Sequence, residues 1–240
     1  KLTARINTIL IDIPQCLTML NEQGWAVTQD SNYEDIIYIN SHRGSLEKSE
    51  AFIKGYITFM DKASMLVARL VNPQPGERIL DCCAAPGGKS MYMAALMDNV
   101  GSLMSCDIHE HKIELMNSNA DRLGASIVHT KVQDATKLPD SWNSYFDRVL
   151  VDAPCSGLGI LQKKLDMRWR KQESILSELP SLQLAILERA AMTVKEKGYL
   201  IYSTCTLNYK ENEEVVESFL QKHKEFSIIP VVEDFPLKSN

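Results

Sequence analysis

The 240-residue sequence holds no apolar run near the ~18–20 residues that cross a bilayer, so no membrane span is expected. None of its six cysteines forms a Cys-x-x-Cys pair, which removes the usual spacing of a zinc site, and no metal is expected. It has no initiator Met, and no apolar segment follows Lys1-Leu2-Thr3-Ala4-Arg5. The chain therefore reads as a fragment or a processed product, and no secretory signal is expected. Internal repeats and low-complexity segments are missing too. The net charge is −5, which argues against a generic nucleic-acid coat but leaves room for a local basic patch. What is present is ordinary for a globular protein with a sizeable core: 45% hydrophobic and 24% charged residues. Cys16, Cys82, Cys83, Cys106, Cys155 and Cys205 read as reduced thiols of a cytoplasmic protein.

The first ~60 residues read as a small α+β unit. A helix is expected over 13–21, ended by Gly24, with strands over 25–27 and 36–39. From about residue 75 the pattern is regular. Strands are expected over 78–82, 102–106, 127–132, 148–151 and 199–203. Helices alternate with them. One covers 89–97, and another carries Ile113, Met116, Ala120 and Leu123 and stops at Gly124. A long one carries Leu182, Ile186, Ala190 and Val194 and stops at Gly198. Asn208 with Glu211 looks like a capping box for a helix to about His223, and 228–232 reads as a further strand. Such alternation implies an α/β fold with a mostly parallel, doubly wound sheet.

Sheets of that kind bind ligands beyond the carboxyl ends of their strands. The expected ends carry Asp81, Asp107, Asp134 and Asp152, and the fifth strand runs into Cys205. Any one Asp there reads as a helix cap or loop hydrogen bond. Together they outline a crevice. The loop Asp81-Cys82-Cys83-Ala84-Ala85-Pro86-Gly87-Gly88-Lys89 is built of small residues that let a backbone approach a ligand. Asp107 follows Gly88 by nineteen residues, the place from which a carboxylate reaches ribose hydroxyls. The loop is neither G-x-G-x-x-G nor a P-loop, and an acidic crevice disfavours a pyrophosphate. It suits a nucleoside with a cationic centre, such as S-adenosylmethionine.

Asp152-Ala153-Pro154-Cys155-Ser156-Gly157 closes one expected strand and Ser203-Thr204-Cys205-Thr206 the next. A free Cys is usually a small buried hydrophobe, and Cys16, Cys82 and Cys106 are read so. Cys155 and Cys205 stand apart, flanked by polar and turn residues at strand ends. A thiol of ordinary pKa ~8.5 needs help to ionise at neutral pH, from a helix N-terminus, the cationic cofactor or a nearby Lys, for which Lys89 is the candidate. A methyl donor beside a thiolate points to carbon 5 of a pyrimidine. That carbon is a poor nucleophile until a sulfur adds at carbon 6. Asp152 could then hydrogen-bond ring nitrogen 3. The stretch after Cys155 holds Lys163, Lys164, Arg168, Trp169, Arg170 and Lys171 against one acid. A charge run is usually a solvated face, but basic side chains around a Trp also suit single-stranded RNA.

These residues resemble the RsmB/Sun family of RNA (cytosine-5) methyltransferases. The resemblance rests on Asp81 to Lys89, Asp152 to Gly157 and Thr204-Cys205, and is strongest to bacterial small-subunit ribosomal RNA enzymes. It implies a Rossmann-like class I methyltransferase core over 61–240, behind a small α+β RNA-binding subdomain over 1–60. It implies Cys205 as nucleophile, Cys155 as the second cysteine that aids product release, and Asp152 beside them. Cys83, Ala84, Ala85, Pro86, Gly87, Gly88, Lys89, Asp107, Asp134 and Asp152 would contact cofactor or target base. Ribosomal RNA would be the partner of a monomer. Met60, Gln162 and Leu165 depart from the family's Gln, Arg and Pro. A non-catalytic RNA-binding module with a vestigial pocket, a nicotinamide dehydrogenase and a thiol hydrolase are the rival readings.

Overall fold

The computed structural model describes residues 2–42, 44–157 and 173–230, with backbone alone for 173–177. Two sheets organise them. The first is antiparallel in the order β2-β3-β1-β4, formed by β1 (Leu2–Ile6), β2 (Ala26–Gln29), β3 (Ile36–Ser41) and β4 (Ile57–Phe59). Helix α1 (Ile13–Glu22) has Pro14 in its first turn, where the missing N–H costs no helical bond. It buries Cys16 and Leu20 in the same cluster as Ile6, Ile37 and Trp25. The expected helix and two strands of this region are present. β1, β4, the short helix α2 (Glu50–Ile53) and helix α3 (Lys62–Val71) were not foreseen. β1 is interior and buried through consecutive residues, so its sequence lacks the alternation that marks a half-exposed strand. It even buries Arg5, whose guanidinium lies 5.1 Å from the Tyr92 ring centre. Burial lowers that group's pKa to about 10.

The second sheet is parallel throughout, in the order β7-β6-β5-β8-β9. Its strands are β5 (Arg78–Asp81), β6 (Ser102–Asp107), β7 (Val128–Val132), β8 (Phe146–Asp152) and β9 (Val194–Ser203). Both faces are covered, because neighbouring strand residues point to opposite sides. Ile79 and Leu150 join α3 and α4 (Gly88–Leu96) in one cluster. Leu80, Val149 and Val151 join α6 (Glu173–Thr193) and α7 (Glu213–Lys222) in the other. Helix α5 (Glu110–Leu123) buries Ile113, Met116 and Leu123 and ends at Gly124, left-handed as expected at φ 64°. The order of strands reverses between β5 and β8, which opens a crevice beyond their carboxyl ends.

A polar joint ties the two sheets. Asp35 ends the turn before β3 and accepts from Tyr92 Oη at 2.7 Å and from Arg69 of α3. Arg69 Nε in turn donates to Tyr92 Oη at 2.6 Å. Asn7 Nδ2 donates to both Gly55 O and Leu123 O at 2.9 Å. Gly55 is left-handed at φ 73°, and a Cβ there would stand 2.1 Å from Arg122 O.

Three expectations are corrected. The long helix ends at Thr193, not at Gly198, and Leu182 is 40% exposed. Its buried face is Ile186, Leu187, Ala190 and Ala191. Val194 already pairs with Phe146, and Gly198 lies within an irregularity of β9 where Asp147 O would be 2.8 Å from a Cβ. Asn208 caps a short 3₁₀ turn, Tyr209–Glu211, rather than helix α7. Residues 228–230 form no strand, Ile228 and Ile229 being two-thirds exposed, and 231–232 lie outside the described residues.

Candidate active site

The loop after β5 is pinned at both ends. Cys82 N donates to Leu150 O at 2.9 Å and Ala84 N to Cys106 O at 2.7 Å. The Ala85–Pro86 bond is cis. Gly87 opens α4 at φ 96°, a conformation that favours glycine, and its Cβ would press on Met116 at 3.1 Å. A Cβ on Gly88 would make ordinary contact with Met60, at 3.7 Å. Cys83, Ala85 and Gly88 are partly exposed, Pro86 is exposed, and Ala84 and Gly87 are buried. Asp81 beneath the loop is fully buried, with Oδ2 accepting from Ser90 Oγ at 2.7 Å. Burial, with a push from nearby Asp152, raises its carboxyl to about 7 against the pull of Ser90 and Lys89.

Asp107 ends β6, whereas Asp134 lies two residues beyond the end of β7, just after Gln133, whose N donates to Asp107 O at 2.9 Å. Their own carboxylates are held locally. Asp107 Oδ1 accepts from His109 N at 3.0 Å and lies 3.5 Å from Lys112 Nζ. Asp134 Oδ1 accepts from Thr136 Oγ1 and N, and these bonds, the hydroxyl's first, hold it below the ordinary carboxylate range.

β8 and β9 pair at Asp152 and Ser203, and Ser203 Oγ donates to Asp152 Oδ1 at 2.7 Å. Lys89 Nζ reaches Asp152 Oδ2 from the first turn of α4, at 2.6 Å. Just beyond, the sulfurs of Cys155 and Cys205 are 3.0 Å apart. Cys205 N–H also donates to Cys155 Sγ at 3.3 Å. Cys155 is half-buried and Cys205 exposed. The Cys205 thiol and backbone N–H pull the Cys155 thiol down to about 6, more than offsetting its burial. The Cys205 thiol is pushed up, first because it donates to Cys155 and then by burial. Asp152 pushes it the same way, and Lys89 opposes. The pair thus holds one proton between two sulfurs and loses its first proton more easily than a free thiol. Cys16, Cys82 and Cys106 are buried, as read from the sequence, and burial pushes all three thiols up.

Sequence reasoning missed what lies under the thiols. Glu211 has no exposure. Its Oε2 accepts from Ser156 N at 2.7 Å and Gln183 Nε2 at 3.1 Å, its Oε1 from Asn208 Nδ2 at 2.9 Å. The Asn208–Glu211 spacing was the only signal, and it reads as a helix cap. Lys163, Lys164, Arg168, Trp169 and Arg170 lie outside the described residues. Among the described residues no three His, Cys, Asp or Glu side chains converge to hold a metal, and no helix is long and apolar enough to cross a membrane.

Residues 68–239 match the family described as 16S rRNA methyltransferase RsmB/F. A probable ribosomal RNA small subunit methyltransferase B of Bacillus subtilis (strain 168) is 41% identical over 227 residues, 94% of this chain and 50% of that protein. The solved structure of PH0851 superposes with a TM-score of 0.91 at 33% identity, covering 97% of this chain and 53% of that one. A methyltransferase homolog protein from Pyrococcus horikoshii gives 0.81 at 30% identity, covering 92% and 69%. The chain spans about half the length of the curated relatives it matches.

Proposed function

Because the chain belongs to the RsmB/F family of 16S rRNA methyltransferases, we propose that it methylates carbon 5 of a cytosine in ribosomal RNA, with S-adenosylmethionine as donor and a covalent cysteine adduct at carbon 6. The observation that carries this reading is the Cys155–Cys205 pair, 3.0 Å between sulfurs, at the crevice end of a parallel sheet. Methylating a ring nitrogen, a hydroxyl or a carboxylate needs no thiol. Methylating carbon 5 does.

The loop fits the donor. Small residues form the turn into α4, where Ala85, Pro86 and Gly88 are partly or fully exposed, and acids end the neighbouring strands. Residues 83–89 with Asp107, Asp134 and Asp152 would hold it. When bound, S-adenosylmethionine supplies an electrophilic methyl group.

Cys205, the exposed sulfur, adds to carbon 6, and its proton passes to Cys155 along the 3.0 Å contact. The electron pair of the carbon 5–carbon 6 bond moves onto carbon 5, with charge also reaching ring nitrogen 3. Lys89 and Asp152 together hold a proton at this edge for that nitrogen. Once carbon 5 carries the methyl group, its proton goes to water, or to Cys155 after that sulfur has passed the proton it took from Cys205 to solvent. The C–H pair restores the double bond, and the carbon–sulfur pair returns to Cys205. The lowered Cys155 thiol favours the opposite assignment, with Cys155 as nucleophile, and a trapped adduct separates the two.

Reaching a ring carbon requires an unstacked or flipped base. The unit over 1–60 and the run Lys163, Lys164, Arg168, Trp169 and Arg170 would supply the RNA grip, and 61–240 the chemistry. Changing those four basic residues to Ala is expected to weaken RNA binding and flatten its salt dependence. The decisive experiment incubates unmodified ribosomal RNA with the protein and methyl-labelled cofactor, then maps the label. Label on carbon 5 of cytosine supports the reading. Label elsewhere, or none, overturns it.

A further inference from the structure

Burying a carboxylate is costly unless several donors compensate it. Glu211 is buried completely and has three, each from a different segment. Ser156 follows Cys155, and Asn208 lies three residues after Cys205. Gln183 belongs to α6, and its Nε2 also donates to Pro154 O, just before Cys155, at 2.9 Å. One side chain thereby gathers the turn that carries Cys155, the segment that leaves Cys205, and the helix behind both. Ser156 Oγ and Thr206 Oγ1, 2.8 Å apart, form a second tie between the same two segments. Tyr202 Oη, donating to Glu211 O at 2.7 Å, fixes the backbone of the residue itself.

The charge matters as well as the shape. Burial raises the Glu211 carboxyl, but the bonds from Ser156, Asn208 and Gln183 outweigh it and hold the group below its usual range. A glutamine would offer one acceptor oxygen and turn its own N–H donors toward Asn208 or Gln183. Three converging donors need both oxygens of a carboxylate.

We propose that Glu211 is a positioning residue for the thiol pair: its carboxylate clamps the Pro154–Ser156 turn to the segment after Cys205 and so sets the 3.0 Å separation of the sulfurs. Its catalytic consequence rests on the reading of methyl transfer by thiol addition. Its effect on the thiols does not.

The test uses Glu211→Gln, Glu211→Asp and Asn208→Ala in the full chain. Iodoacetamide alkylation is followed against pH with the modified cysteines mapped by mass spectrometry, beside kcat and KM for RNA. In Glu211→Gln the Cys205 bonds to Cys155 weaken, and the alkylation midpoint of Cys155 rises by about one pH unit toward a free thiol, against the smaller fall from losing the Glu211 charge, which itself pushes that thiol up. kcat falls about tenfold or more at unchanged KM, because the sulfurs lose their alignment. Glu211→Asp keeps both oxygens and recovers part of each effect. Asn208→Ala cuts the tie on the Cys205 side without stranding a buried charge, and shifts the midpoint the same way. A wild-type alkylation profile in folded Glu211→Gln overturns the proposal. So does a wild-type profile in Asn208→Ala should Glu211→Gln not fold. If the unaltered protein labels no RNA, the methyl-transfer reading fails, while the alkylation profiles still decide about Glu211.

Discussion

Lys89 Nζ stands 2.6 Å from Asp152 Oδ2, across sixty-three residues of chain and both partly shielded from solvent. The contact joins the loop after β5 to the end of β8 and sets a cation beside the thiol pair. Lys89→Met removes that cation and strands the carboxylate. Methyl transfer is expected to fall at least about tenfold, and alkylation of Cys205 to need higher pH, since Lys89 favours its thiolate. An unchanged alkylation profile would show that the cation does not reach the sulfurs.

Cys205→Ser should abolish methyl transfer while cofactor binding, measured by calorimetry, survives. Cys155→Ala should accumulate a protein–RNA adduct, visible as a slow band on a denaturing gel. If the band needs Cys205 removed instead, the two sulfurs exchange roles. Normal turnover by Cys205→Ser excludes it as nucleophile.

Asp81 makes stability depend on pH. Its folded carboxyl is raised from 3.8 to about 7 by burial, so the folded state binds this proton more tightly than the unfolded chain. The stability it contributes is complete below about pH 4 and lost as pH rises through about 7. The loss amounts to roughly 4 kcal/mol at most. Asp81→Asn stays neutral, so its melting temperature should exceed that of the unaltered chain at pH 8 and vary less between pH 5 and 8. Parallel melting curves for the two proteins across that range would refute this.

Asp35 holds the joint between the sheets through Tyr92 and Arg69, with Arg5 close by. Asp35→Ala leaves two buried or half-buried guanidinium groups without their acid. A loss of about 3–5 kcal/mol is expected, as for other broken buried pairs. In a domain of this size that is about 10 °C in melting temperature. A drop of only about 2 °C by scanning calorimetry would mean that the joint adds little.

Much of the second sheet was legible because local rules and tertiary packing agree there. Strand 78–82 reads as a short apolar run, buried on both faces, and the helix ending at Gly124 follows the period that one buried face imposes. β1 escaped because it is buried through consecutive residues yet reads Leu2-Thr3-Ala4-Arg5-Ile6, neither alternating nor an apolar run. The long helix was over-extended because Val194 continues the i+4 row, and only its pairing with Phe146 reveals a strand. The closeness of Cys155 and Cys205 could be argued from strand ends, since parallel neighbours deliver their loops to one side.

The sequence by itself determined that strands and helices alternate, that one helix stops at Gly124, and that acids and two thiols end successive strands, because those patterns are local and periodic. Only the tertiary structure decided that Lys89 turns to Asp152, that Asp35 bridges the sheets, and that Glu211 sits beneath the sulfurs rather than capping a helix. Each of these is a contact between segments far apart in the chain. Its energy comes from shared burial and converging donors, which no stretch of sequence carries alone.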